Sequence, residues 1–399
     1  MPICTLNREM KILISTPIFP PEIGGPATYT VEVARRFQER GHKIHIVTFT
    51  DVKPQIKDLE VTPVRVRYPI LDTFLRQTRL FFTLLSSAKG MDLIYLQDPV
   101  VVGVASLLAG KFTGKPLVLK FVGDSVWEKE YSLRKTDENL DDFLGSPRKR
   151  PVLRLRISLL KFVFKHMSRI IVPSFYLRNI LVKHYGVKPD KIAVVYNSVD
   201  CKAIRVADSI RGKRGNKRII TVGRMVRHKR VAGIINAFHK LSQEFADVNL
   251  RVVGDGPERA SLERMAEELE LTQQVRFYGN IGHDKTLELL KAAGVFVLNS
   301  IYEGLPHTVI EAMACSVPVV ATGIRGTDEA VDNGRTGLLV PSDNESALAD
   351  GIARLLQDRN LAEQLAEKAL AAVNERFTWE SNLVKLEAEL EKIIDTDVS

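Results

Sequence analysis

Lys11-Ile-Leu-Ile-Ser-Thr16 leads into Pro21-Glu-Ile-Gly-Gly-Pro26, and beyond it Ala27, Val31, Ala34 and Phe37 recur at helical spacing up to Gly41. A short apolar strand, a glycine turn and a helix stopped by glycine form one β-α unit. The unit repeats. Strands are predicted at 43–49, 64–67, 93–96, 117–121, 170–172 and 192–195. Several are short, β-branched and apolar, which suits a sheet covered on both faces. The pattern restarts after residue 200, with strands at 218–222, 249–253, 275–278, 295–298, 318–321 and 337–340. Alternation twice over predicts an α/β protein of two doubly wound, Rossmann-like domains. We place them at residues 1–199 and 200–376. The polar, basic stretch Cys201–Asn216 is the edge of the linker, and a closing helix within 377–399, near Trp379–Ile394, is expected to pack back on the first domain.

The chain has 399 residues, more than one ordinary core accommodates. A 45% hydrophobic and 26% charged composition is that of a soluble globular protein. Three scattered cysteines have neither metal nor disulfide spacing and point to a reducing, cytoplasmic setting. Residues 1–20 lack the apolar core of a secretory signal, and no apolar run reaches membrane-spanning length. The charge is uneven: residues 1–200 carry 31 Lys+Arg against 19 Asp+Glu, and residues 201–399 carry 26 against 29. That suits either a solvated basic surface or a first half that meets something anionic.

Residues 133–150 read as an exposed polar excursion. In Val152–Met167, Arg154, Ser158, Lys161 and Lys165 form one polar stripe among apolar faces. A core helix with one solvated stripe fits this pattern. So does a basic amphipathic helix lying on an anionic membrane surface, peripheral on the inner face.

Ile301-Tyr-Glu-Gly-Leu-Pro-His-Thr-Val-Ile-Glu-Ala-Met-Ala-Cys315 holds two carboxylates around a glycine and a proline. Pro306 suits a helix start, so the amides near His307, Thr308 and Val309 are expected to be free for phosphate oxygens. Glu303 then lies before the helix and Glu311 about one turn inside it, roughly 5–6 Å along the axis. Carboxylates accept hydrogen bonds from vicinal hydroxyls, so a sugar, a diphosphate and a ribose fit in a row; ordinary helix capping fits too. Arg224 and Lys229 follow the first strand of the second domain, where such sheets bind ligands, and suit a diphosphate; a basic surface turn fits as well. Arg227, His228 and Arg230 read as solvated. Gly254 and Gly256 mark a second glycine turn, and Gly24 and Gly25 the matching turn in the first domain. Neither is the dinucleotide fingerprint.

Taken in order, the Gly24-Gly25 loop, Gly223-Arg224 with Lys229, Gly254-Asp255-Gly256-Pro257, Glu303-Gly304-Leu305-Pro306 through Glu311, Asn197-Ser-Val-Asp200 and Gly334-Arg-Thr-Gly-Leu-Leu-Val-Pro341 resemble the family 4 retaining glycosyltransferases of GT-B architecture over nearly the whole chain. The resemblance implies two domains facing across a cleft and a nucleotide-diphosphate sugar as donor. Arg224 and Lys229 would grip the diphosphate, Glu311 the ribose and Glu303 the donor sugar. Gly304, Leu305, His307 and Thr308 would offer amides, Gly24 and Gly25 would reach across the cleft, and Asn280 with Tyr278 and Gly279 would hold the base. Many members carry a histidine after the strand that is 117–121 here; this chain reads Lys120-Phe-Val-Gly-Asp-Ser-Val-Trp-Glu128 instead. Asp124 becomes the candidate for meeting the donor sugar or acceptor hydroxyl, with Trp127 and Glu128 nearby; a turn and a packing tryptophan fit as well.

The expected activity is hexosyl transfer, with retention, to a glycan or lipid-linked acceptor in cell-surface polysaccharide or glycolipid synthesis. No cofactor is expected and no metal, for want of an Asp-x-Asp element or a histidine cluster. The rivals are a GT-B nucleotide-sugar epimerase, against which the Glu303/Glu311 pair argues, and a basic nucleic-acid binder, which lacks interleaved aromatics.

Overall fold

The computed structural model describes residues 8–22, 24–51, 56, 58–65, 73–147, 149–201, 204 and 217–398. Its first sheet holds β1 (Lys11–Thr16), β2 (Lys43–Phe49), β3 (Glu60–Val64), β4 (Leu93–Leu96), β5 (Leu117–Lys120), β6 (Arg169–Val172) and β7 (Ile192–Val194). The second holds β8 (Arg218–Val222), β9 (Asn249–Val253), β10 (Val275–Gly279), β11 (Val295–Leu298), β12 (Val319–Thr322) and β13 (Leu338–Val340). All strand pairs are parallel, and both orders are doubly wound: β3-β2-β1-β4-β5-β6-β7 and β10-β9-β8-β11-β12-β13. The α/β GT-B fold is thus as expected.

The sheets are buried on both faces. β1 and β4 present Leu13, Ile94 and Leu96 to one cluster and Ile12, Ile14, Leu93 and Tyr95 to another. Each fully buried side chain of this size stabilises the fold by about 1.5–3 kcal/mol. The helix Trp379–Val398 turns Trp379, Leu383, Leu386, Leu390 and Ile394 onto the second cluster, so this closing helix packs on the first sheet. Arg40 and His42 meet its Glu387 at 2.6 and 2.7 Å. The linker stretch lies largely outside the described residues.

The predicted strand at 64–67 is displaced. The strand is Glu60–Val64, at the sheet edge, and residues 66 and 67 lie outside the described set. Pro63 sits inside it, opposite Thr48. An edge strand tolerates a missing N–H, since one side of it pairs with nothing.

Candidate active site

In each sheet the strand order reverses beside its first strand: between β1 and β4, and between β8 and β11. Ligands of open α/β sheets bind at such points, beyond the carboxyl ends of the strands. Both reversals open onto one cavity of about 840 Å³. The second sheet contributes Arg224, Lys229, Glu303, Gly304, Leu305, His307, Thr308 and Glu311 to its walls. The first contributes Gly25, Tyr29, Gln97, Lys120 and Glu128.

The two halves meet closely. Built onto Gly304, a Cβ would come within 2.2 Å of the Val122 carbonyl across the cleft, so only glycine fits. Asn197 Nδ2 donates to the Leu305 carbonyl at 3.2 Å, and the Glu329 carboxylate accepts from the amides of Phe175 and Tyr176 at 2.8 and 2.7 Å.

The helix His307–Ala314 follows Pro306, and no side chain caps it. Its first amides are left for an anion, and the helix dipole favours one there. Before the helix, Glu303 is buried; its Oε1 accepts from Lys229 Nζ at 2.5 Å and Ser300 Oγ at 2.6 Å. Inside the helix, Glu311 is also buried, and its Oε1 lies 2.7 Å from His283 Nε2 and 3.4 Å from His307 Nδ1. Burial would raise the Glu311 carboxyl, but the two histidines outweigh it and hold it down at about 2. Across the cleft, burial pushes Glu128 up to about 7, while Lys229 and Arg224 pull the other way. His228 is buried against Trp127 and Tyr302, and burial, with Lys229 and Arg224, pushes it down to about 3. It is therefore neutral at pH 7.

Not every expected residue reaches the cavity. Gly24, Gly223, Gly254, Gly256, Pro306 and Asn280 do not line it. Gly254 and Gly256 lie behind it, where a Cβ would meet the carbonyls of Gly223 at 2.0 Å and Met225 at 2.3 Å. The glycines there pack one turn on another. Asn280 is exposed, and neither Tyr278 nor Gly279 lines the cavity.

Asp124 is a correction. Its carboxylate is fully buried and caps the helix Ser125–Ser132, accepting from the amides of Val126 and Trp127 at 3.1 and 2.9 Å and from the Tyr185 hydroxyl. All its acceptor capacity faces the fold. One turn further on, Glu128 is the carboxylate of this helix that lines the cavity, 2.9 Å from where a Gly123 Cβ would stand. Trp127 is a packing residue, with Nε1 donating to the Glu138 carbonyl at 2.9 Å. Asp124→Ala is expected to cost about 2–4 kcal/mol through a lost N-cap and an orphaned Tyr185 hydroxyl. Denaturant unfolding would read this; an unchanged midpoint with abolished transfer would return Asp124 to the chemistry.

His228 and Arg227 are corrections too. His228 is buried, and Arg227 donates to the Tyr131 and Thr136 carbonyls at 3.2 and 3.3 Å across the cleft. Sequence reasoning missed His283, Gln97 and Lys120 as site residues, and gave Glu128 only a neighbouring place.

Residues 23–203 match the family profile described as Glycosyltransferase Family 4, and residues 206–371 that described as Glycosyl transferases group 1. The chain is 28% identical to the N-acetyl-alpha-D-glucosaminyl L-malate synthase of Bacillus anthracis, over 93% of this chain and 94% of that protein. It is 30% identical to the Campylobacter jejuni N-acetylgalactosamine-N,N'-diacetylbacillosaminyl-diphospho-undecaprenol 4-alpha-N-acetylgalactosaminyltransferase over 47% of this chain and 51% of that protein. Among solved structures, Anabaena Alr3699/HepE in complex with UDP and glucose shares the fold with a TM-score of 0.75 at 21% identity, over 96% of this chain and 100% of that one. The sucrose-phosphate synthase of Thermosynechococcus elongatus does so with a TM-score of 0.74 at 20% identity, over 97% and 100%. The two profiles together span nearly all of residues 23–371, in the order the two sheets follow: the chain belongs to the family 4 glycosyltransferases and is a GT-B enzyme of that class.

Proposed function

We propose that this glycosyltransferase takes a hexosyl group from a nucleotide-diphosphate sugar and passes it, with retention and without a metal, to a hydroxyl of a glycan or lipid-linked acceptor in cell-surface polysaccharide or glycolipid synthesis. The observation that carries the reading is one wall of the cavity: Arg224, Lys229, the uncapped helix start at His307 and the buried carboxylates of Glu303 and Glu311 all line it. A diphosphate on the helix amides would draw Lys229 from Glu303, freeing that carboxylate for sugar hydroxyls. Glu311 would accept from the ribose. The anomeric carbon–oxygen bond breaks with its electron pair leaving on the diphosphate oxygen, where Arg224, Lys229 and the amides stabilise the charge. The acceptor hydroxyl adds from the same face and passes its proton to a phosphate oxygen. Glu128 takes the position expected of Asp124, facing the sugar from the first domain.

The test is a thermal-shift screen of UDP, GDP, ADP and their sugars with EDTA and then with Mg²⁺, followed by NMR of the first-formed sugar when water is the acceptor. A shift in EDTA and a retained anomer are expected; strict metal dependence or an inverted anomer would overturn the reading.

The membrane reading of the basic helix gains support. In the helix Pro151–Lys165, Leu153, Ile157, Leu160, Val163 and Phe164 are buried, yet Val152, Leu155, Leu159 and Phe162 form a second apolar stripe that is exposed. Phe112 and Phe82 on neighbouring helices are exposed as well, and Lys111 Nζ lies 6.0 Å over the Phe162 ring. Apolar side chains among lysines complement an anionic lipid surface. The protein is expected to float with phosphatidylglycerol vesicles and not with phosphatidylcholine vesicles, and Leu155→Asp/Phe162→Asp is expected to float with neither.

A further inference from the structure

Every group assigned to the donor's phosphates stands on the second sheet, apart from the Gly25 turn. The first sheet nonetheless sends a cation into the same cavity. Lys120 ends β5 and is 2% exposed. Its Nζ lies 3.4 Å from the Val195 carbonyl and 5.0 Å from the Tyr29 ring centroid, and among the described residues it has no carboxylate partner. Beside it, Gln97 follows β4 and is 4% exposed; its buried Nε2 makes no hydrogen bond of full geometry, and of its two N–H groups at most one acts on the neighbouring Tyr95 hydroxyl. Gln97 also lines the cavity. Both residues stand at the carboxyl ends of strands next to the point where the first sheet's order reverses. Glu32 shares the cavity, but its carboxylate is engaged by Arg36 at 3.3 Å.

A buried ammonium without a counter-ion and a buried amide with an unmatched N–H are each costly, and one anion answers both. We infer that Lys120 and Gln97 form an anion subsite for the acceptor, which therefore carries a carboxylate or phosphate close to the hydroxyl that is glycosylated. This rests on the glycosyl-transfer reading above and narrows it to an anionic acceptor: a hydroxy acid, a sugar or polyol phosphate, or a phospholipid headgroup. Lys120 donates charge and Gln97 a directional N–H; Tyr29, whose hydroxyl lies 3.0 Å from that of Tyr95, forms the wall beneath. Burial alone pushes the Lys120 ammonium down to about 7; Tyr29 faces it, Tyr95 of β4 bonds Tyr29, and Glu32 of the helix Gly25–Glu39, Glu128 of the helix Ser125–Ser132 and Asp200 line the same cavity. An anion favours the charged form, so above pH 7 its binding takes up a proton.

The experiment is calorimetric. The full chain, saturated with the nucleoside diphosphate that shifts it most, is titrated with L-malate, with inorganic phosphate and with phosphatidylglycerol vesicles. The same is done for Lys120→Met and Gln97→Leu, which keep size and burial. We expect at least one probe to bind, its affinity to fall about tenfold or more in both variants, and nucleotide affinity to hold within about twofold. At pH 8, buffers of different ionisation enthalpy should reveal proton uptake in the parent and none in Lys120→Met. A Lys120-dependent heat with malate or free phosphate makes the acceptor a small soluble anion; one confined to vesicles makes it a lipid headgroup. Nucleotide binding with no probe bound, or probes bound equally by both variants, overturns the subsite and leaves the donor reading intact. Failure of every nucleotide to bind would bring down the donor reading and the subsite with it.

Discussion

Replacing Glu311 by alanine is expected to leave the fold intact and to lower kcat/KM by about 10²–10⁴, because two hydrogen bonds to a charged group are worth roughly 1.5–3 kcal/mol each. The loss should fall on KM and on nucleoside diphosphate affinity more than on kcat. Ribose is held alike in the ground and transition states, so its contacts are uniform binding. The fold should survive because Glu311's partners, His283 and His307, are both partly open to water and solvate when it is gone. Calorimetry with the free nucleotide checks this, and unchanged affinity would remove Glu311 from the donor site. The same cluster has a pH signature. Glu311 is depressed to about 2 in the fold, so its contribution to stability is complete above the usual carboxylate range near 4.3 and is lost as pH falls towards 2. His283 is raised by its hydrogen bond to Glu311; burial pulls His307 down, but the Glu311 charge, its hydrogen bond and the Ser198 carbonyl together outweigh this and raise it. Their contributions are complete below about 6.5 and fade as pH rises through their raised values. The cluster is therefore most stabilising between about pH 4.5 and 6.5, and Glu311→Ala should flatten stability on both sides of that window.

Which parts of this were legible in the chain follows from what each depends on. β1 and β4 read true because a doubly buried parallel strand carries an apolar run, Ile12-Leu-Ile14 and Leu93-Ile-Tyr-Leu96, whatever its neighbours are. Glu303 and Glu311 were legible because their relation is local: a loop, a proline and one helical turn. Asp124 misled because a carboxylate after Gly123 reads as well for a ligand as for a cap. Its position just before Ser125-Val-Trp127 was the overlooked signal of an N-cap. Once Asp124 faces the helix amides, Glu128 alone of the pair is left to enter the cleft. His228 misled in the opposite way. Arg227-His-Lys-Arg230 looks solvated as a string, but Arg230 adopts a left-handed conformation at φ 49° after a single 3₁₀ turn. The turn sends His228 under Trp127 while Arg227 crosses to the other domain. His283 had no local signal at all: it reaches Glu311 from 28 positions away, through the packing of one helix against another. Lys120 is similar. As the last residue of a buried strand it reads as an edge position, and only Tyr29 and the Val195 carbonyl, brought beside it from distant parts of the chain, make it an interior cation.

Lys229→Ala carries the other large expectation: a fall in kcat of about 10²–10³, the scale of removing one preorganised group aimed at developing charge. Lys229 is held in place before any donor arrives, with Nζ 2.5 Å from Glu303 Oε1, and no reorganisation is needed beyond moving from carboxylate to phosphate. Charge grows on the diphosphate only as the sugar leaves, so this loss should appear in kcat, where the Glu311→Ala loss appears in KM. The substitution has a second consequence. Glu303 is buried, and without Lys229 its charge keeps only the Ser300 hydroxyl among its observed partners. Part of the measured loss would then come from a carboxylate that takes up a proton or turns aside. The Glu303→Gln/Lys229→Ala enzyme separates the two effects. If Lys229 acts on the leaving diphosphate, kcat in the double variant stays as low as in Lys229→Ala. If its work is to hold Glu303, the double variant matches Glu303→Gln alone, and the phosphate role is refuted. Lys229→Arg should recover little. A planar guanidinium keeps the charge but does not occupy the point where a compact ammonium now sits against Glu303 Oε1.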